Sequence, residues 1–406
     1  MFDVLIAGGG MVGLSLAALL PPSLRICVVD RFPMPGNDAP LPQPSFDGRS
    51  TALSFSSVQI LKAVGVWERV APIAEPIYSV HVSEKERLGS TLMTAKEKGW
   101  ETLGFVVENA WLGRALLELI RQKTNVTLAC PKQVKKLAPK SSHVCAELAG
   151  NDGQSEQVNA KLVVIADGAG SSLCQQLGIA MQVENYHHSA IVANVQIEKP
   201  HLGVAFERFT RDGPLALLPL MALKDSEHRS QQRSALIWTL PTDKADAVLS
   251  LDDQAFVDRL QVQFGQRLGR FIKVGKRQSY PLSLSTAKEQ IRKHVVVLGN
   301  AAHTLHPVAG QGFNLALRDC FALSNVLQSA QMSGCSLGDL SVLDEYEQQQ
   351  SRDQEMTRWF SDKLPAWFSH QNLPTHMVSR LGFLSLALMP DVRGQLIDFA
   401  AGLRKV

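Results

Sequence analysis

The chain is short of several things that would announce a function. Its six cysteines, Cys27, Cys130, Cys145, Cys174, Cys320 and Cys335, form no CxxC pair, and none sits near clustered histidines at a metal-ligand spacing. No disulfide scaffold and no metal site is expected. Free thiols in a reducing compartment, mostly acting as small buried hydrophobes, fit the spacing better. Surplus charge is scarce too: 41 Lys and Arg against 38 Asp and Glu leave +3. That offers no basic stripe, so no nucleic-acid partner is expected. No apolar run reaches the length of a bilayer span. The N-terminus has no basic leader, so no signal peptide is expected. These absences together point to a cytoplasmic protein with at most peripheral membrane contact. Tyrosine occurs only at Tyr78, Tyr186, Tyr280 and Tyr346.

What remains is a globular composition, with 45% hydrophobic and 19% charged residues over a length of 406. That length allows two packed units, or one large domain carrying an insertion. Residues 3–30 read as strand, glycine turn, helix and strand, the helix stopped by Pro21 and Pro22. The second strand is a continuous apolar run of the kind buried on both faces of a parallel sheet. Residues 36–44 are Pro-rich and read as loop. Helices are expected over 57–64 and 112–119, and a buried strand over 161–166. Between about 183 and 281 short apolar or alternating runs (191–197, 204–209, 215–218 and 235–240) are divided by turn chemistry such as Asp212-Gly213-Pro214. This predicts an antiparallel sheet inserted into an α/β framework, with 224–233 a solvated loop. The framework resumes with a strand at 295–298 and a helix whose Phe313, Leu317, Cys320, Leu323 and Leu327 share a face. The remainder reads as helical.

Three glycine-bearing segments carry the chemistry. Gly8-Gly9-Gly10-Met11-Val12-Gly13 is a GxGxxG between strand and helix. Gly8 permits the tight turn, Gly10 lets backbone approach a pyrophosphate, and Gly13 allows close helix–sheet packing. Asp30 ends the next strand, where a carboxylate accepts hydrogen bonds from a ribose. This motif does not separate FAD from NAD. Ala166-Asp167-Gly168-Ala169-Gly170-Ser171 ends another strand and by itself is an Asp-Gly turn with a serine helix cap. The third segment runs from Gly299-Asn300 through His303, His306 and Pro307 to Gly310-Gln311-Gly312-Phe313-Asn314. Its glycines would bring backbone amides at a helix N-terminus close to a ligand.

With these three segments in this order, the chain resembles the para-hydroxybenzoate-hydroxylase-like flavoprotein monooxygenases. The likeness spans it to about residue 350. Within that group it is most similar to the ring hydroxylases of ubiquinone biosynthesis. Residues 47–53 after Phe46, residues 106–109, Phe206-Glu207-Arg208-Phe209-Thr210 with 213–216, and residues 305–312 carry that closer likeness. The resemblance implies a Rossmann-like α/β FAD-binding domain built from 1–80, 104–182 and 282–340. It implies an inserted mixed or antiparallel β-sheet substrate domain from 81–103 and 183–281, and a C-terminal helical segment from 341–406. It also implies that Arg49 contacts the FAD pyrophosphate, that Asn109 and Asp167 lie near the cofactor, and that residues 310–314 lie under its ring. One departure stands out: the family's Gly-Asp motif reads Gly299-Asn300 here, and an asparagine carbonyl accepts the same hydrogen bond without the charge.

The implied reaction uses NAD(P)H to reduce FAD and puts one oxygen atom of O2 on the ring of a polyprenyl phenol. Deprotonating the phenol enriches the ring in electrons, so a base or relay helps. His306, beside Pro307, is the candidate, with loop ordering as its alternative role. His303 reads as structural, and Tyr280 is a second relay candidate. Phe206, Phe209, Leu217, Pro219 and Trp238 could wall the substrate pocket, with two or three of them touching substrate and the rest sheet core. Arg208 is a surface charge or a lid residue. NAD(P)H would dock transiently, since no second dinucleotide fingerprint is present. Residues 381–389 could form a buried helix, an oligomer contact or an interfacial anchor for a polyprenyl substrate. Partner enzymes of quinone synthesis, a sister ring hydroxylase acting at another position, and a non-catalytic flavoprotein subunit are further readings. An oxidase, reductase or halogenase on the same fold is another.

Overall fold

The computed structural model describes residues 1–34, 36, 47–85, 90–151, 153–224, 230–305, 310–369 and 390–403. Its framework is a sheet whose central strands are all parallel: Val295–Val297, Ser155–Ile165, Phe2–Ala7, Ile26–Val29 and Val126–Ala129 lie side by side. Antiparallel strands Lys132–Pro139 and Val144–Gly150 extend from Ser155–Ile165. The first strand is buried at every position from Asp3 to Ala7, as expected where both faces are covered. Helix Met11–Leu19 is apolar nearly all round and stops before the two prolines. It packs with helices Asn109–Gln122 and Gln311–Met332 into one core. The stripe expected on the latter is buried at Leu317, Cys320, Leu323 and Leu327, with Phe313 partly exposed.

A second, mostly antiparallel sheet runs in the order His303–Thr304, Gln278–Ala287, Met181–Ile197, Ser230–Pro241, Gly213–Lys224, Val204–Thr210, Ser79–Glu84 and Ser90–Thr94. Segments far apart in sequence meet here, because Val204–Thr210 pairs in parallel with Ser79–Glu84. A third, three-stranded sheet pairs Ser50–Ser54 and Glu75–Ile77 with the two edges of Gly104–Glu108.

Two local expectations are corrected. The inserted segment is not all β: helices Thr242–Leu249 and Asp253–Phe264 cover one face of its sheet and bury Ala245, Phe256, Val257, Leu260 and Phe264. The Asp252 carboxylate caps the second helix by accepting the Ala255 N–H at 2.8 Å. The stretch 230–233 is strand rather than loop, and Arg233 is tied down by the Glu108 carboxylate at 3.3 Å. The short three-stranded sheet was not anticipated. Among the described residues no helix is long and apolar enough to cross a membrane; residues 381–389 lie outside them.

Candidate active site

The glycine turn is fixed by backbone that has no room for side chains. A Cβ on Gly8 would lie 2.3 Å from the Ala166 carbonyl oxygen, and one on Gly13 would lie 1.8 Å from the carbonyl oxygen of Gly8. The turn is therefore clamped between the helix it starts and the end of the neighbouring strand. No side chain caps the N-terminus of helix Met11–Leu19, where Gly10 is the capping residue. Gly8, Gly10, Met11 and Val12 line a cavity of about 1120 Å³. Gly13 does not line it; its part is packing.

Asp30 and Asp167 both line the cavity. Asp30 accepts the Gly9 N–H at 2.7 Å through one oxygen and the Phe32 N–H at 2.8 Å through the other. Burial pushes its pKa up, and those two backbone bonds oppose the shift. Asp167 accepts the Ser171 hydroxyl at 2.9 Å, and that hydroxyl oxygen caps the next helix by accepting the Cys174 N–H. Burial raises this carboxylate as well.

Arg49, Asp47 and Tyr280 form one group at the cavity. The Arg49 Nε donates to Asp47 at 2.8 Å, its guanidinium lies 4.6 Å from the centre of the Tyr280 ring, and the Tyr280 hydroxyl reaches Asp47 at 3.0 Å. Burial is the main cause that raises the Tyr280 pKa, so the phenol stays protonated. Asn109 is buried, and its carbonyl accepts the Thr51 hydroxyl at 2.7 Å. Arg49, Asn109 and Tyr280 all line the cavity.

The third glycine segment opens the helix Gln311–Met332, again without a side-chain cap. Gly310 adopts a left-handed conformation (φ 60°) that glycine takes without strain. Gly310, Gln311, Gly312, Phe313 and Asn314 line the same cavity as the first turn, as does Asn300. Gly299 does not; a Cβ there would lie 2.9 Å from the Val12 side chain, so it serves helix packing. His303 is buried away from the cavity, with its Nε2 3.0 Å from the buried Asp319 carboxylate. His306 and Pro307 lie outside the described residues.

Another part of the lining comes from the second sheet, and on two of its strands the sequence pointed to the side turned away from the cavity. Phe206 and Phe209 border the cavity, but Arg208, Leu217, Pro219 and Trp238 do not. Leu217 and Trp238 point at the covering helices, where Trp238 meets Phe256 edge-on at 5.9 Å. Pro219 is buried. Arg208 is bound to the Gln263 carbonyl on that same side. The residues one position along, Glu207, Ala216, Leu218 and Ile237, line the cavity instead. Glu207 was missed as a site residue although it lies within the motif that carries the family likeness.

Two uncapped helix N-termini aimed into one space suit a doubly charged pyrophosphate and an electron-rich ring edge. Glycines whose Cβ atoms have no room, and a carboxylate ending the second strand, fit an adenosine-bearing dinucleotide. The cavity exceeds the roughly 300–1,000 Å³ of common ligand pockets, leaving space for a second molecule.

The model of the FAD binding domain family matches residues 1–358. The chain belongs to this family of FAD-dependent monooxygenases. Within it, the chain is 33% identical to the ubiquinone hydroxylase UbiL of Rhodospirillum rubrum over 408 residues, covering 100% of this chain and 90% of the relative. It is 30% identical to the 3-demethoxyubiquinol 3-hydroxylase of Escherichia coli, covering 99% of this chain and 98% of that one. The fold is similar to that of p-nitrophenol 4-monooxygenase PnpA from Pseudomonas putida, with a TM-score of 0.79, 18% identity and coverage of 100% and 99%.

Proposed function

We propose that the chain hydroxylates the ring of a polyprenyl phenol in ubiquinone biosynthesis, with 2-octaprenyl-6-methoxyphenol as substrate and the corresponding benzoquinol as product. The observation that carries this reading is the single cavity that two uncapped helix starts share with an apolar sheet face. The relatives named for ubiquinone hydroxylation support the choice of ring.

In this reading FAD is held by Gly8, Gly10, Asp30, Arg49, Asn109, Asp167, Asn300 and residues 310–314. When bound, it takes electrons from NAD(P)H and activates O2. The chain's own part is to bind, orient and keep dry. The amides at Gly310–Gly312 favour negative charge at the adjoining ring edge. Arg49, steered by Asp47 and Tyr280, offers a fixed cation to phosphate. Val80, Val82, Val192 and Ile237 exclude water from the reacting ring. A polyprenyl tail partitions into lipid, so peripheral contact with a membrane surface and with neighbouring enzymes of the pathway belongs to the proposal.

The test is metabolite analysis of a strain lacking this gene. Accumulation of 2-octaprenyl-6-methoxyphenol with loss of quinone is expected, and normal quinone levels would overturn the reading. Accumulation of a demethoxyubiquinol instead would move the hydroxylation to the ring position named in the Escherichia coli relative.

A further inference from the structure

One lateral row crosses the cavity face of the second sheet. Register pairs Thr91 with Val82, Val82 with Glu207, Glu207 with Ala216, Ala216 with Ile237 and Ile237 with Val192. All six side chains border the cavity, and Glu207 is the one that ionises. Its carboxyl group makes no ion pair or hydrogen bond with any described residue, and the residue keeps some accessible surface, which opens into the cavity.

Its place relative to the glycine segments follows from the strand. Ala205, two residues earlier and on the same face, packs in a cluster with Ala52. A Cβ on Gly310 would in turn lie 3.4 Å from the Ala52 Cβ. Glu207 is thus roughly 7 Å further along its strand from the point where the sheet meets the start of helix Gln311–Met332. Tyr280 lies on the same face near the far edge: Ala190 pairs with it, and Val192 pairs with Gln278. Four strand spacings, roughly 19 Å, separate the Glu207 row position from that edge.

We propose that Glu207 receives the phenolic hydroxyl of the substrate and takes its proton. This rests on the hydroxylase reading above. A carboxylate with no partner in an apolar cavity costs free energy unless a ligand satisfies it, and a phenol O–H is a donor of the right kind. On transfer, the phenol O–H bond breaks and an O–H bond forms on Glu207. The electron pair left on oxygen delocalises into the ring and makes it the better nucleophile for incoming oxygen. As the new C–O bond forms, the O–O bond of the activated oxygen breaks and its second oxygen leaves with that electron pair. The attacked ring carbon then loses its hydrogen as a proton, which the leaving oxygen takes up on its way to water, and the proton on Glu207 returns to the phenolate.

The same surroundings tune the group. Burial lifts its pKa from 4.5 to about 7, with no charged group contributing. The described neighbours on its face of the flanking strands, Val82, Thr91, Ala216, Ile237 and Val192, are uncharged. A phenol of pKa about 10 would give up its proton to an ordinary glutamate against a factor of about 10⁵ to 10⁶, but to this one against about 10³.

The experiment compares wild type, Glu207→Gln and Glu207→Asp, each loaded with FAD, on a short-chain prenyl methoxyphenol. Product and NAD(P)H consumption are followed from about pH 5.5 to 9. Wild-type kcat/KM for hydroxylation should rise with pH and level off above about 7. Glu207→Gln should lose the rise and about 100-fold or more of the hydroxylation, with FAD content unchanged, and Glu207→Asp should keep part of both. A Glu207→Gln enzyme within about threefold of wild type, or one keeping the rise near pH 7, would overturn the assignment. Should Glu207→Gln fail to fold, infrared difference spectra of the wild type near pH 8 on adding the phenol carry the test: the carboxylate stretch must shift as it accepts the phenol O–H, and an unmoved band overturns the proposal. A wild type that hydroxylates no prenylated phenol would bring down the proposed function as well. An active wild type with an unaffected variant would remove only Glu207.

Discussion

Asn314 and Ser54 are 260 positions apart in sequence and joined directly: the Asn314 side-chain carbonyl accepts the Ser54 N–H at 2.9 Å. The same oxygen accepts the Ser57 hydroxyl at 2.7 Å, and the amide donates to the carbonyls of Ala52 and Gly310, each at 2.8 Å. All of its hydrogen-bonding capacity is spent on protein, so Asn314 shapes the cofactor cradle without having donors to spare for the cofactor. Asn314→Ala would strand buried backbone groups at about 1–3 kcal/mol each. We expect a lower unfolding temperature and loss of bound FAD, read by thermal melts and by the flavin-to-protein absorbance ratio. An alanine variant with full FAD content and an unchanged melt would show the clamp to be dispensable.

The glycines divide by what surrounds them. Gly13→Ala must push a Cβ into the Gly8 carbonyl and should yield protein that neither holds FAD nor accumulates well. Gly312→Ala meets nothing within 4 Å. Its FAD-free form should melt like wild type while its FAD affinity falls, because the new methyl occupies ligand space. Equal FAD affinity, measured by fluorescence titration of the apoprotein, would place the flavin elsewhere.

Tyr280 supports Arg49 through ring and hydroxyl together. Its pKa is raised, chiefly by burial, so it is protonated at neutral pH and a poor base. Tyr280→Phe keeps the ring under the guanidinium and should cost less than about tenfold in hydroxylation. A loss of about 100-fold or more would instead make it a proton relay.

Buried Asp319 is held by His303 at 3.0 Å and by the Gln354 amide at 3.0 Å. His303→Leu leaves that carboxylate without its ring partner and should destabilise by about 3–5 kcal/mol. Asp319→Asn in the same background should recover part of the loss, as chemical denaturation would show.

Glu207 also predicts a pH dependence of stability. Its folded pKa, about 7, lies above its unfolded value near 4.5. The folded state therefore binds the proton more tightly, and stability falls as pH rises through that window. The loss is at most about 3 kcal/mol, and the remaining exposure reduces it. FAD-free Glu207→Gln should match wild type near pH 4 and exceed it near pH 8. A variant that shows no gain at the higher pH would mean that the carboxylate is solvated after all.

The parallel core was legible because strands buried on both faces read as unbroken apolar runs, as in residues 2–7 and 26–29, and because glycine spacing marks helix starts at Gly10 and Gly310. The substrate wall was not legible, for a specific reason. The second sheet is apolar on both faces, one packed on the helices over 242–264 and the other turned to the cavity. Hydrophobicity then carries no parity, and a one-residue slip exchanges Ile237 for Trp238, Leu218 for Leu217 and Glu207 for Arg208. An isolated carboxylate between two phenylalanines was the one available signal, and the arginine beside it drew the reading instead. Those two helices were overlooked because the strand pattern on either side of them was stronger than their own periodicity.

The cavity is finished late. Leu396, Ile397, Ala400 and Ala401 form part of its wall, and the Ala401 carbonyl accepts the Ser56 N–H at 3.0 Å. During synthesis the glycine turn near the N-terminus emerges first, and this last part of the wall only once residues beyond 390 leave the ribosome. The C-terminal helix is thus the last piece of the wall to be made.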